Sequence, residues 1–181
     1  MSNATSRRLY LRRFAGAMLL DPAAYEDVEA DRGATIQACA TVLLAAVAEG
    51  VALRAVLGPG SIAVMSVVAL LGWAAWSLLT FEVGARILPG ARTHSDVGEL
   101  LRTLGFAAAP GSIAFFSLVP GLAMPILIFS RTWMLLAMVV AVRQALDYTS
   151  TWRAVAVCAL GWLLTSAMIL ALAYFGATTV S

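Results

Sequence analysis

Glu49, Arg54 and Arg131 lie inside or at the ends of long apolar stretches and are the residues of this sequence best placed to do chemistry. A carboxylate within a bilayer costs several kcal/mol unless it is paired, protonated or hydrated. One acid with two guanidinium groups at similar depth can form a structural ion pair. It can also relay a proton or an ion, or snorkel to the membrane surface. The residue types allow all three.

The other candidates lie in polar segments. Residues 19–40 read LLDPAAYEDVEADRGATIQACA, with carboxylates at Glu26, Asp27, Glu29 and Asp31. Asp21 followed by Pro22 is a favoured helix start, an N-cap with proline at the first helical position. The spacing then turns Tyr25 and Val28 towards the membrane and Glu26, Asp27 and Glu29 towards solvent or nearby arginines. If the segment recognises a partner, Tyr25, Glu26 and Glu29 carry that contact.

His94, the single histidine, stands near Asp96 and Glu99. Three mixed ligands at loose spacing are a weak metal signal. Helix initiation, with Ser95 or Asp96 as N-cap, accounts for the same residues, so no metal or cofactor is expected. Cys39 and Cys158 fall within apolar runs without CxxC spacing and read as buried thiols. No phosphate loop, GxSxG elbow or HExxH zinc motif is present, which leaves an enzyme as the least supported class, with no catalytic residue to name.

These residues must be positioned by membrane helices. The chain is 61% apolar and 12% charged over 181 residues, against about 25% charged in soluble domains. A net charge of +2, carried entirely by arginine on the basic side, does not point to nucleic acid. We therefore expect an all-α integral membrane protein. Five stretches approach the length of about 20 residues needed to span a bilayer. They are Ala34–Leu57, Ile62–Gly84, Leu101–Val119, Pro125–Leu146 and Ala154–Tyr174, which together make a transmembrane domain over residues 34–177.

Residues 1–33 form a separate N-terminal segment. Ser6-Arg7-Arg8-Leu9-Tyr10-Leu11 approaches a twin-arginine signal, but no cleavage site follows, and residues 7–20 read instead as an amphipathic helix. In that helix Leu9, Tyr10, Phe14, Ala17 and Met18 face lipid while the arginines sit at the headgroups. With five spans, ten of twelve arginines fall on one side and only Arg54 and Arg131 on the other. The positive-inside rule then places the N-terminus in the cytoplasm and the C-terminus outside, in the cell's inner (cytoplasmic) membrane.

Packing cues are local. Ala34, Ala38, Thr41, Ala45, Ala48, Ala52 and Ala55 recur at steps of four and three, a small-residue seam that lets helices approach closely. Ala109-Pro110-Gly111-Ser112 must break the third span, giving a kink at Pro110. Trp73, Trp76, Trp133 and Trp162 lie inside spans as bundle packing, and Trp152 takes an interfacial position. Glu82 and Arg86, four apart, should pair.

Three stretches are similar to the Yip (Ypt-interacting protein) family in its bacterial branch: LLDPAAYEDVEADRGATIQA, SDVGELLRTLGFAAAPGSI and WMLLAMVVAVRQALDYTSTWRAVAV. The resemblance covers roughly residues 15 to 175 and implies a Yip-one domain of five membrane helices with a cytoplasmic N-terminus. Eukaryotic members act in vesicle trafficking and bind prenylated small GTPases through that N-terminal region. Composition and resemblance together give the expected function: a non-enzymatic scaffold, membrane organiser or accessory subunit of a larger membrane complex. Its partners would be the lipid bilayer and other membrane proteins or further copies of itself. The alternative is a small transporter, or an ion- or proton-conducting protein, using Glu49, Arg54 and Arg131.

Overall fold

The computed structural model describes residues 3–54, 58–90, 95–119 and 121–164. Among these residues the chain is all-helical. Seven α-helices follow one another: α1 (Asn3–Met18), α2 (Pro22–Ala30), α3 (Ala34–Ala52), α4 (Ser61–Phe81), α5 (Val97–Phe106), α6 (Ala123–Ala145) and α7 (Thr151–Leu164). A π-helical segment, Glu82–Ile87, prolongs α4, and a 3-10 segment, Ala109–Leu118, follows α5.

Four helical stretches are long and apolar enough to cross a membrane: Ala34–Ala52, Ser61–Ile87, Val97–Leu118 and Ala123–Ala145. They correspond to the first four expected spans with shifted ends. The first stops at Ala52 rather than Leu57, and the second runs past Gly84 to Ile87. The fifth is seen only as the 14 residues of α7, and 165–174 lie outside the described residues.

Helix ends follow local rules. Asp21 caps α2 by accepting from the Ala23 amide at 3.0 Å, with Pro22 at the first position. Asp96 and Glu99 form a reciprocal capping box at α5: Asp96 accepts from the Glu99 amide and Glu99 from the Asp96 amide, both at 2.9 Å. The ends of α1 and α6 share one geometry. The amide of Asp21 reaches the Gly16 carbonyl and that of Tyr148 the Arg143 carbonyl, each at 2.9 Å. This is the Schellman pattern, but Leu20 (φ 60°) and Asp147 (φ 50°) occupy the left-handed position that glycine normally takes.

α3 is the centre of the bundle, packing on α4, α5 and the 3-10 segment. The small-residue seam is the reason. Ala34, Ala38, Thr41, Ala45 and Ala48 are buried, and Gly105 of α5 sits so close that an added Cβ would meet the Ala38 Cβ at 2.6 Å. Ala55 lies outside the described residues. The 3-10 segment fills the space between α3 and α6, while α4 and α6 make no extended contact with each other.

The expected break at Pro110 is a change of helix type rather than a bend in a continuous helix. α5 ends at Phe106, and ten residues of 3-10 helix follow, far longer than the usual three or four. Hydroxyls help to satisfy this stretch. Ser112 donates to the Ala109 carbonyl at 2.8 Å, Ser117 to that of Ala114 at 2.6 Å, and Ser130 of α6 to that of Pro110 at 3.0 Å.

α1 departs from the expected membrane-surface helix. Ala17 is fully buried, and Tyr10, Phe14 and Met18 pack on the protein core instead of facing lipid. The Tyr10 ring lies 6.1 Å from that of Phe106, and its hydroxyl is 3.3 Å from that of Thr41. Leu11 and Leu19 are the apolar side chains that α1 and its turn expose. α1 packs against α2, α5 and the 3-10 segment.

Candidate functional site

Two places gather polar side chains. The first lies between two of the helices long and apolar enough to cross a membrane. Glu49 of α3 and Arg131 of α6 form an ion pair, bringing together two of the three residues singled out. Arg54 does not join them; it is exposed beyond the end of α3 and makes no ion pair among the described residues. Because α3 stops at Ala52, Glu49 lies three residues from the helix end, about 4.5 Å along the axis.

The pair borders a cavity of about 470 Å³ between α3, α4, the 3-10 segment and α6. Its walls are mainly apolar, with Val42, Ala46, Val68, Met134, Met138 and Trp162 among the lining residues. Trp162 brings α7 to the same cavity, and the neighbouring Gly161 lies so close to α4 that an added Cβ would meet the Trp76 ring at 2.7 Å. Small residues create the space: Ala45, Ala69, Gly72, Ala108, Gly111 and Ala114 all line it. Trp73 and Trp76 form its wall on α4. Trp73 donates to the Leu101 carbonyl at 2.9 Å, whereas the buried Trp76 indole N–H has no acceptor among the described residues.

The second place is the junction of α1 and α2 with the bundle. Arg13 is 3% exposed and donates to Asp27 at 2.9 Å, to Asp31 at 2.8 Å and to Gln37 at 3.1 Å. Hydrogen bonding to Arg13 is the main cause that holds both Asp27 and Asp31 below the ordinary carboxylate range. Arg102 of α5, also buried, donates through Nε and one terminal nitrogen to the Glu29 carbonyl at 3.1 and 2.7 Å. It thereby supplies a cation and two donors at the C-terminal end of α2, where helix carbonyls lack partners. Further ties run from Trp133 Nε1 to the Met18 carbonyl at 2.7 Å and from Gln144 to the Glu26 carboxylate at 2.8 Å.

The acid-rich segment divides differently from expectation. Tyr25 is fully buried and its hydroxyl donates to the Ala17 carbonyl at 3.3 Å, so it is a packing residue and not a partner contact on the surface. Val28 is buried with it, in protein and not in lipid. Glu26 remains exposed. Glu29 is half-buried and lines a polar cavity of about 560 Å³ with Glu26, Glu99, Arg143, Asp147 and Tyr148 among its neighbours. Burial, then the charges of Glu99 and Asp147, push the Glu29 carboxyl up to about 7, partly opposed by Arg102.

At the C-terminal end of α4, Arg86 pairs with Glu82 at 2.8 Å, as the spacing required. The π-helical turn beside them turns carbonyls outward, and the Tyr148 hydroxyl lies 2.8 Å from that of Gly84 and 2.7 Å from that of Leu88. Of the histidine group, Asp96 and Glu99 serve the capping box, and His94 lies outside the described residues.

Arg13 and Arg102 are the functional residues that sequence reasoning did not single out. A signal for Arg13 existed: it falls three after Tyr10 and four before Ala17, on the apolar stripe of α1 and not with Arg7, Arg8 and Arg12. Arg102 carried no such mark, because its acceptor is 73 residues away.

Searches for a matching family model, a similar curated protein and a similar solved structure all return no match.

Proposed function

We propose that this protein is a non-enzymatic, polytopic scaffold or accessory subunit of a larger assembly in the cytoplasmic membrane. In this reading the N-terminus is cytoplasmic, α1 and α2 form a rigid cap packed on the bundle, and the C-terminus is outside. The observation that carries it is how the cap's polar groups are used. Arg13, Tyr25, Arg102, Trp133 and Gln144 tie α1 and α2 to each other and to α3, α5 and α6 by bonds between distant residues. Such a cap is a preorganised surface, which lowers the ordering cost of binding. The arginine asymmetry supports the orientation, and the resemblance to the bacterial Yip branch supports the architecture.

The test is recovery of partners from the native membrane in mild detergent, read by native mass spectrometry. We expect self-associated or hetero-oligomeric particles from the parent. The Arg13→Ala variant, with the cap released, should lose most of that association, and Glu26→Arg should weaken it while leaving the fold intact. A strictly monomeric particle that never co-purifies with another protein overturns the proposal.

The Glu49–Arg131 pair at a cavity favours a second reading, transport of a small solute, ion or proton. Flux into proteoliposomes decides it: the parent must conduct and Glu49→Gln must not. A parent without flux, or a variant with unchanged flux, removes this reading.

A further inference from the structure

The apolar cavity ends at a pair of opposite charges, and this juxtaposition specifies a ligand. We propose that the cavity holds one zwitterionic phospholipid from the bilayer. One acyl chain lies along the wall formed by α3, α4 and the 3-10 segment, and the headgroup sits on Glu49 and Arg131.

Three observations converge. The volume of about 470 Å³ lies within the range of about 300–1,000 Å³ typical of small-molecule sites. Val68 of α4 and Trp162 of α7 line the cavity and are also exposed on the apolar outer surface, so a chain enters laterally from lipid without crossing water. The ion pair stands one helical turn from the end of α3, where a headgroup lies, while Trp73 and Trp76 stand more than three turns along α4 from its first residue, Ser61. The cavity therefore has a polar end and an apolar length, in the order that an amphiphile requires.

Charge selects the head. Arg131 keeps guanidinium donors beyond the one given to Glu49, and its side chain is 56% exposed. A phosphate accepts from those donors, and an ammonium donates to the second carboxylate oxygen of Glu49. An anionic head without an ammonium would satisfy Arg131 but set its negative charge beside Glu49, and an uncharged head would use neither. Phosphatidylethanolamine fits both groups.

Native mass spectrometry of the full chain, delipidated and then titrated separately with phosphatidylethanolamine, phosphatidylglycerol and diacylglycerol, tests the assignment. The expected result is one retained phosphatidylethanolamine per chain, bound at least about tenfold more tightly than either of the others. That is the factor for one charge-assisted contact. Arg131→Gln should erase the preference among headgroups. Gly72→Phe tests the chain site independently of the ion pair. Gly72 lines the cavity and a Cβ there meets nothing within 4 Å, so the ring enters open space without disturbing the backbone. This variant should keep its helix content and lose the adduct. Equal retention of the three lipids overturns the headgroup assignment, and an adduct unaffected by Gly72→Phe overturns the cavity as its location. Neither result bears on partner recovery through the cap, so failure here leaves the scaffold reading standing.

Discussion

Glu29 and Arg13 show how much a single side chain decides in this protein. A carboxyl raised to about 7 favours its protonated form in the folded state relative to the unfolded one, where it titrates near 4.5. The stability it contributes is therefore complete below about pH 4.5 and is lost as pH rises through about 7. Asp27 and Asp31 have the opposite sign, stabilising above the ordinary carboxylate range and losing that contribution in acid. Thermal unfolding in detergent should thus show a melting temperature that falls between pH 5 and 8. Glu29→Gln should flatten that fall, and a profile that keeps its slope in the variant would exclude Glu29 as its source. Arg13→Ala should cost about 3 kcal/mol, the low end for breaking a buried pair, because both partner carboxylates reach solvent. Asp147→Gly removes both a left-handed non-glycine residue and a like charge facing Glu29, so it should stabilise by about 1 kcal/mol, read as a higher melting temperature.

Helices and their ends form the next scale, and here local and distant causes separate cleanly. The Asp21 cap, a cap at Ser95 or Asp96 and the Glu82–Arg86 pair were legible because each involves residues within one turn. The helix-type change after Ala109 was legible as a break but not in kind, since the 3-10 stretch depends on Ser130 of another helix as well as on Pro110. Close approach gives the test at this scale. A Cβ on Gly84 would come within 2.3 Å of Leu146 Cδ1, so Gly84→Val should push Leu146 out and free the Tyr148 hydroxyl from the π-helical turn. The expected cost is about 1–3 kcal/mol, with faster hydrogen exchange at the α6–α7 connection. Unchanged exchange there would show that Leu146 and Tyr148 do not hold that connection.

The whole molecule is an α-helical bundle in which α3 is the shared wall of both polar regions, and its orientation is the property most open to direct measurement. With Cys39 and Cys158 replaced, single cysteines at Ser95 and at Gly60 should be labelled from opposite faces of sealed vesicles. Ser95 should react from the cytoplasmic face. Labelling of both from one face would break the alternation on which the arginine argument rests.

What the sequence determined by itself is the class and its rough geometry. Apolar length is a sum over neighbouring residues, so the four helices long and apolar enough to cross a membrane could be read directly, with errors of a few residues at their ends. Caps, turns and the small-residue seam belong to the same category, because each depends on contacts within a turn or two. Only the tertiary structure decided which arginine meets which carboxylate. Arg131 pairs with Glu49 across 82 residues while Arg54 stays apart, and Arg13 is buried where it binds both Asp27 and Asp31. It also decided that α1 packs on the bundle, that Tyr25 is buried, and that a cavity remains beside the Glu49–Arg131 pair. These outcomes depend on how helices cross, and no local pattern encodes a crossing.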